Sequence, residues 1–279
     1  MNTLEASGWL PVAELATGFD ENKLPATDEL AGKEFILNFG RDGIVKYSFQ
    51  DTRNLVRETV NARENPAVAK EIYEAMQIAP GLYLVDYVKN KSRRESVTLV
   101  LDVQQRKAIV IDAVAPMLRQ ANRSFLIRMK QGLDLSPVRY AIHPASLDNS
   151  PARSLPALFP RTQDLIGKRV RYTYSRQHVY EHIYLNHRFY TWQCLAGPEK
   201  GTADTDVCDY FKIAPDIYLF IWREKVVPTI GVVIINFKSR RSAGKILGLD
   251  IPTGKAVNFT MGAYVAFVGE IPPAAPAQK

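Results

Sequence analysis

Two stretches of this chain repeat each other at a fixed distance, and no other feature constrains the fold as much. Gly32-Lys33 within AGKEFILNF answers Gly167-Lys168 within IGKRVRYTY, and IAPGLYLVDY from Ile78 answers IAPDIYLFIW from Ile213. Both pairs lie 135 residues apart. Each copy continues through a charged turn, an apolar segment (SVTLVLDV from Ser96; GVVIINF from Gly231), a basic turn and a further apolar segment (KAIVI; AGKIL). Self-similarity of this kind marks a structural unit used twice. The chain is expected to fold as two like domains.

Within each copy, β-branched and aromatic residues alternate with polar ones over short segments such as 35–39, 171–174 and 180–184. Alternation of period two is the signature of a half-buried strand. Helical turns are expected only at 67–76, where Ala, Lys, Glu and Met supply good propensity, and at 113–120. Each copy then reads as an antiparallel meander of roughly six to eight strands, which escapes its open edges by closing into a barrel. The expected boundaries are an N-terminal arm or lid over 1–30 with Trp9 as an anchor, a first barrel over 31–132, and a second over 165–270. A connector over 133–164 carries Pro137, Pro144, Pro151, Pro156 and Pro160, and the alanine- and proline-rich 271–279 reads as a disordered tail.

Composition excludes several functions. The net charge of +7 is spread along the chain, and its densest runs, Lys89 to Arg94 and Lys238 to Arg241, fall in expected hairpin turns. Solvated turn tips rather than a nucleic-acid face are expected. No apolar run approaches the ~20 residues that span a bilayer, and the opening MNTLEASGWL lacks the basic start and apolar core of a secretory signal. A cytoplasmic protein without a membrane partner is expected. Cys194 and Cys208 match neither a redox pair nor a zinc pattern and read as buried small hydrophobes. The spacing of His143, His178, His182 and His187 suggests no metal site. Asp204, Asp206 and Asp209 lack the ligand run of a calcium loop and read as a solvated loop at a barrel mouth.

Over nearly its whole length, in AGKEFILNF, PGLYLVDYV, LIGKRVRYTY, YEHIYLN, TWQCLAGPEKGTADTDVCDYFKIA and YLFIWREKVVPTIGVV, the chain resembles the MoaF family. The resemblance implies two calycin-like (lipocalin-like) barrels. It also implies a role as an accessory in molybdenum-cofactor biosynthesis or, because the family label overlaps with it, in bacterial monoamine metabolism. The residues themselves offer no phosphate-binding loop, dinucleotide fingerprint or cysteine cluster. The second copy also resembles the phenolic acid decarboxylases, calycin-type enzymes that use no cofactor. Their Ile-Gly, four residues, Tyr-Thr-Tyr motif stands here as Ile166-Gly167 followed by Tyr172-Thr173-Tyr174, and their Trp-Thr-Glu as Trp222-Arg223-Glu224. The resemblance implies that the paired tyrosines grip a substrate carboxylate and that Glu224 supplies a proton. The arginine of that family falls on Gly201, leaving Lys200 or Arg223 as substitutes.

Tyr172 and Tyr174, two apart on one strand, share a face, as do Tyr180, His182 and Tyr184, with Glu181 on the opposite one. Ordinary strand aromatics would show the same pattern, but an inward pair of phenols can hold a carboxylate, carbonyl or phenolate oxygen. Glu224, at the end of an apolar strand, is expected to have a raised pKa that suits it to proton transfer. A hairpin glutamate paired with Arg223 or Lys225 is the plainer alternative. The catalytic candidates are thus Tyr172, Tyr174, Glu224 and His182, and the ligand-binding candidates Trp192, Lys200, Trp222, Arg223 and Tyr184. The offset of 135 sets Leu37, Phe39 and Lys89 of the first copy against Tyr172, Tyr174 and Glu224. Chemistry is therefore expected in the second barrel alone. The reading leans to a cofactor-independent lyase, isomerase or decarboxylase acting on a small aromatic or phenolic compound. A non-catalytic carrier or sensor of an aromatic metabolite is the alternative, and self-association into a homo-oligomer stays open.

Overall fold

In the computed structural model, which describes residues 10–60, 67–147 and 159–271, the period-two segments become sixteen strands in two closed barrels. The first barrel runs β1 (Glu34–Asn38), β2 (Ile44–Phe49), β3 (Asn54–Thr59), β4 (Val68–Ala79), β5 (Leu82–Val88), β6 (Glu95–Asp102), β7 (Lys107–Val114) and β8 (Arg139–Ser146). The second runs β9 (Lys168–Thr173), β10 (Val179–Tyr184), β11 (Phe189–Ala196), β12 (Ala203–Ala214), β13 (Ile217–Arg223), β14 (Thr229–Asn236), β15 (Arg241–Asp250) and β16 (Lys255–Glu270). Every neighbouring pair is antiparallel, and each barrel closes its last strand on its first. Helix is confined to short pieces, among them α1 (Val12–Leu15), α2 (Leu118–Ala121) and α3 (Phe125–Lys130).

The duplication extends to irregularities. β4 bulges between Gln77 and Ala79, and β12 between Lys212 and Ala214. The tight turn that follows needs a positive φ, which Gly81 adopts at 73° and Asp216, its counterpart, at 60°. The copies part at the end. The first inserts α2 and α3 before its eighth strand, whereas the second passes from β15 to β16 through a short turn.

Three expectations need correction. The segment 67–76 is not helical: from Val68 it is strand β4, with Glu71, Tyr73 and Ala75 buried and Ile72 exposed. Its helix formers are overridden by non-local pairing with β3 and β5. Over 113–120 the chain first completes β7 and only then makes the turn of α2. The proline-bearing stretch 133–164 is extended where β8 forms, but that strand belongs to the first barrel, with Pro144 opposite Ile109. Trp9, Pro151, Pro156 and residues 272–279 lie outside the described residues.

The barrels share a wall. β5 and β13 are buried on both faces over all but their last residue, one face toward their own lumen and the other toward the partner barrel. Leu84, Val100, Ile109 and Ile111 pack in one apolar cluster with Leu219, Ile221, Val232 and Ile234. Polar bonds cross this wall in a near-symmetric way: Lys107 Nζ donates to Ile213 O at 3.1 Å, and Asn236 Nδ2 donates to Ile78 O, the equivalent carbonyl, at 3.1 Å. Both cysteines are buried and free. Among the described residues, no helix is long and apolar enough to cross a membrane.

Candidate functional site

Five consecutive strands of the second barrel turn mostly aromatic side chains inward at alternate positions. β9 supplies Tyr172 with Tyr174 just beyond it, β10 Tyr180, His182 and Tyr184, and β11 Tyr190 and Trp192. β12 supplies Asp206, Cys208 and Tyr210, and β13 Tyr218, Phe220 and Trp222. His182 lies within 4.5 to 6.2 Å, centroid to centroid, of Tyr172, Tyr184, Tyr190, Phe220 and Trp222. The rings nearly fill the lumen. What remains is a cavity of about 40 Å3 lined by Tyr174, Tyr180, His182, Tyr190, Trp192, Trp222, Ile246, Glu199 and Glu224, with Leu15 and Phe19 of the N-terminal arm.

The arm lies over the mouth of this barrel, as a lid would. Leu10 N donates to Glu199 Oε1 at 3.1 Å, and the Phe19 ring lies 4.4 Å from that of Tyr174. From there the arm crosses to the first barrel, where Leu30 is fully buried.

Three carboxyl groups meet at this end of the lumen. Glu224, half-buried just past β13, accepts from Trp222 Nε1 at 3.1 Å. Burial raises its pKa well above the ordinary carboxylate range, and the charges of Asp206 and Glu199 push the same way. Glu199 is buried and accepts from Tyr180 OH at 2.8 Å; burial raises its pKa against those hydrogen bonds. Asp206 accepts from Trp192 Nε1 at 3.3 Å and from the Lys225 backbone N–H at 3.2 Å. Burial lifts its pKa to about 6 despite the Lys225 charge. His182 is the opposite case: burial alone lowers its pKa to about 3, so the ring is neutral. Its Nδ1 is buried without a hydrogen-bond partner.

The structure brings Tyr174, His182, Trp192, Trp222 and Glu224 together around the cavity. It does not bring the others there. Tyr172 and Tyr184 are fully buried and bond each other, hydroxyl to hydroxyl, at 2.5 Å, away from the cavity lining. Of the two tyrosines expected to grip a carboxylate, Tyr174 lines the cavity and Tyr172 does not. Arg223 alternates to the outer face, where it bonds Asp134 at 3.0 Å and lies over the Tyr140 ring. Lys200 is exposed. The arginine that the decarboxylase resemblance calls for therefore has no substitute among the described residues of the cavity wall, which include no lysine or arginine. Nor does Asp206 sit in a solvated loop: it is a strand residue, 2% exposed. In the first barrel, Lys89, counterpart of Glu224, is tied to Glu95 and Asp112 at 3.1 and 2.9 Å.

The sequence reading missed Glu199, Asp206, Tyr190, Phe19 and Gly231. Asp206 was within reach, because Cys208 and Tyr210 continue its alternation once 203–214 is read as a strand. Glu199 sits in a loop, where no periodicity announces a facing. Gly231 pairs across the sheet with Trp222, whose ring would stand 2.1 Å from a Cβ at that position. Gly231 is thus what allows the indole to lie against its neighbouring strand. Gly231→Ala is expected to destabilise the fold by about 1–3 kcal/mol through overpacking and to shift the tryptophan emission. Unchanged denaturant unfolding and emission would refute this role.

The fold and site define an all-β double-barrel protein in which one barrel keeps a small cavity walled by aromatic rings and buried carboxyl groups. The MoaF N-terminal domain description matches residues 7–116 and the MoaF C-terminal domain description residues 159–271. Protein MoaF of Klebsiella aerogenes is 36% identical over 259 residues, covering 91% of this chain and 93% of its own. The chain belongs to the MoaF family. A Burkholderia vietnamiensis protein solved under a provisional beta-lactamase name aligns with 39% of this chain and 100% of its own, at 16% identity and a TM-score of 0.34.

Proposed function

We propose that the second barrel binds a small aromatic molecule in its lumen and that Glu224 moves a proton on that molecule without a cofactor, as a lyase or isomerase does. The observation that carries this reading is a carboxyl group held by an indole N–H inside an aromatic cavity, with its pKa raised by burial and by two neighbouring acids. Burial of a carboxyl group that has no basic partner among the described residues works against stability, and groups perturbed in this way cluster at functional sites. A carboxyl group with a raised pKa is better suited to giving and taking a proton near neutrality.

A ligand screen tests binding. Hydroxycinnamates, phenolic aldehydes, aromatic amines and pterins are offered to the purified protein, because a ligand of the native state raises the melting temperature by mass action. Some of the aromatics should stabilise the wild type and fail to stabilise Trp222→Ala. Glu224→Gln tests the chemistry: affinity should stay within about tenfold of wild type while turnover of the stabilising compound falls at least ~100-fold, in the range of a lost general acid or base. An aromatic wall serves a second reading as well, a carrier that holds its ligand without reacting with it. That reading is adopted if the bound compound is recovered unchanged. Stabilisation by pterins alone would favour a role in molybdenum-cofactor assembly instead.

A further inference from the structure

Two of the three lumen acids, Glu199 and Glu224, have no counter-charge among the described residues. Lys225 serves Asp204 and Asp206, with Nζ 3.4 Å from Asp206 Oδ1. The hydrogen bonds to the carboxyls of Glu199 and Glu224 from the described residues, in contrast, come from neutral donors: Leu10 N and Tyr180 OH for the first, Trp222 Nε1 for the second. The remaining titratable groups that face Glu224 are Tyr174, Tyr190 and His182. None of them supplies positive charge, since His182 is held neutral by burial. Its Nδ1 belongs to a residue 95% buried in the cavity wall and has no hydrogen-bond partner among the described residues.

We propose that the ligand of this lumen is an organic cation, a small aromatic or apolar molecule with a protonated amine set between Glu199 and Glu224 and its body among Tyr174, Tyr190, Trp192 and Trp222. The inference rests on the lumen being a ligand site and adds the ligand's charge. An ammonium meets two carboxyl groups, and indole and phenol faces attract cations in a desolvated setting. A carboxylate or phosphate would meet those same acids with no lysine or arginine in the wall. The present cavity of about 40 Å3 is far below the ~150 Å3 that accommodates benzene. The ligand's body therefore takes the space that Phe19 and Leu15 now occupy, and its N–H groups take over the Glu199 oxygen to which Leu10 N now donates. Binding lifts the arm. A cation beside Glu224 favours the carboxylate, so binding shifts its proton toward the buffer.

Calorimetry on the full chain with 2-phenylethylamine, 2-phenylethanol and phenylacetate, three molecules of one shape and different charge, decides the matter. The amine should bind at least tenfold tighter than the alcohol and the acid most weakly. Amine binding should release protons, read from its heat in buffers of different ionisation enthalpy. The double variant Glu199→Gln/Glu224→Gln, checked for folding by circular dichroism, should lose the preference for amine over alcohol. Phe19→Ala should tighten amine binding several-fold. If the alcohol or phenylacetate binds as well as the amine, or the preference survives the double substitution, the cation assignment falls while the lumen site stands. If no ligand of any charge binds, both fall.

Discussion

Replacing Lys245 with methionine should cost the fold about 3–5 kcal/mol, the usual penalty for removing one partner of a buried ion pair. Lys245 has no solvent exposure and lies in the wall between the barrels. Its ammonium donates to Ser96 of the first barrel and stands 3.8 Å from Asp86 Oδ1 and 3.4 Å from Asn258 Oδ1. Asp86 is also buried, and accepts from Thr98 at 2.9 Å and from Asn258 at 2.6 Å. Burial pushes the lysine's pKa down more strongly than Asp86 pulls it up, so the pair as a whole is no large source of stability. Its value is in fixing how the barrels meet, and the loss on substitution comes from the charge left behind on Asp86. That account makes a sharper demand: adding Asp86→Asn, which removes the orphaned charge but keeps an acceptor for Thr98, should restore at least half of the lost stability. Chemical denaturation of the two variants checks it. Equal instability of single and double variants would refute the explanation.

His182→Phe should make the protein more acid-resistant, and by pH 4 the gain over wild type should have grown by about 3 kcal/mol relative to its value at pH 7. The sign follows from a folded-state pKa of about 3 against an ordinary 6.5. A buried neutral histidine contributes its full stability above pH 6.5 and loses it as the pH falls toward 3, because only the unfolded chain takes up the proton. The lumen acids act in the opposite sense. Asp206, raised to about 6 from 3.8, contributes its stability below 3.8 and has lost it once the pH is above 6; Glu199 and Glu224 share that direction. Acidification therefore weakens the wild-type lumen through His182 while strengthening it through the carboxyls. The difference between variant and wild type, measured by denaturation at pH 7 and pH 4, isolates the histidine. A difference independent of pH would mean that the ring is not held neutral by its aromatic surroundings.

The repeat at 135 residues and the alternation within each copy carry most of the architecture, because a strand's side chains change face at every residue regardless of what the strand pairs with. Tyr180, His182 and Tyr184 could be placed on one face from this rule alone, and Glu181 on the other, where Arg169 and Arg171 hold it. The rule does not tell depth. Tyr172 and Tyr174 share a face as expected, yet one bonds Tyr184 away from the cavity and the other lines it. Helix propensity at 67–76 failed for a related reason: the partners β3 and β5 supply a ladder that the local residues cannot announce.

From the sequence by itself came the duplication, the all-β class and the presence of Glu224 among aromatics in the second copy. Those properties depend on residue type and local period. Only the tertiary structure decided which acids meet, that Arg223 faces Tyr140 rather than the lumen, and that an arm preceding the first barrel closes the second. Such facts depend on groups separated by up to 189 residues, as Leu10 is from Glu199. Contacts of that kind are set by the closure of the barrels and the packing of one against the other.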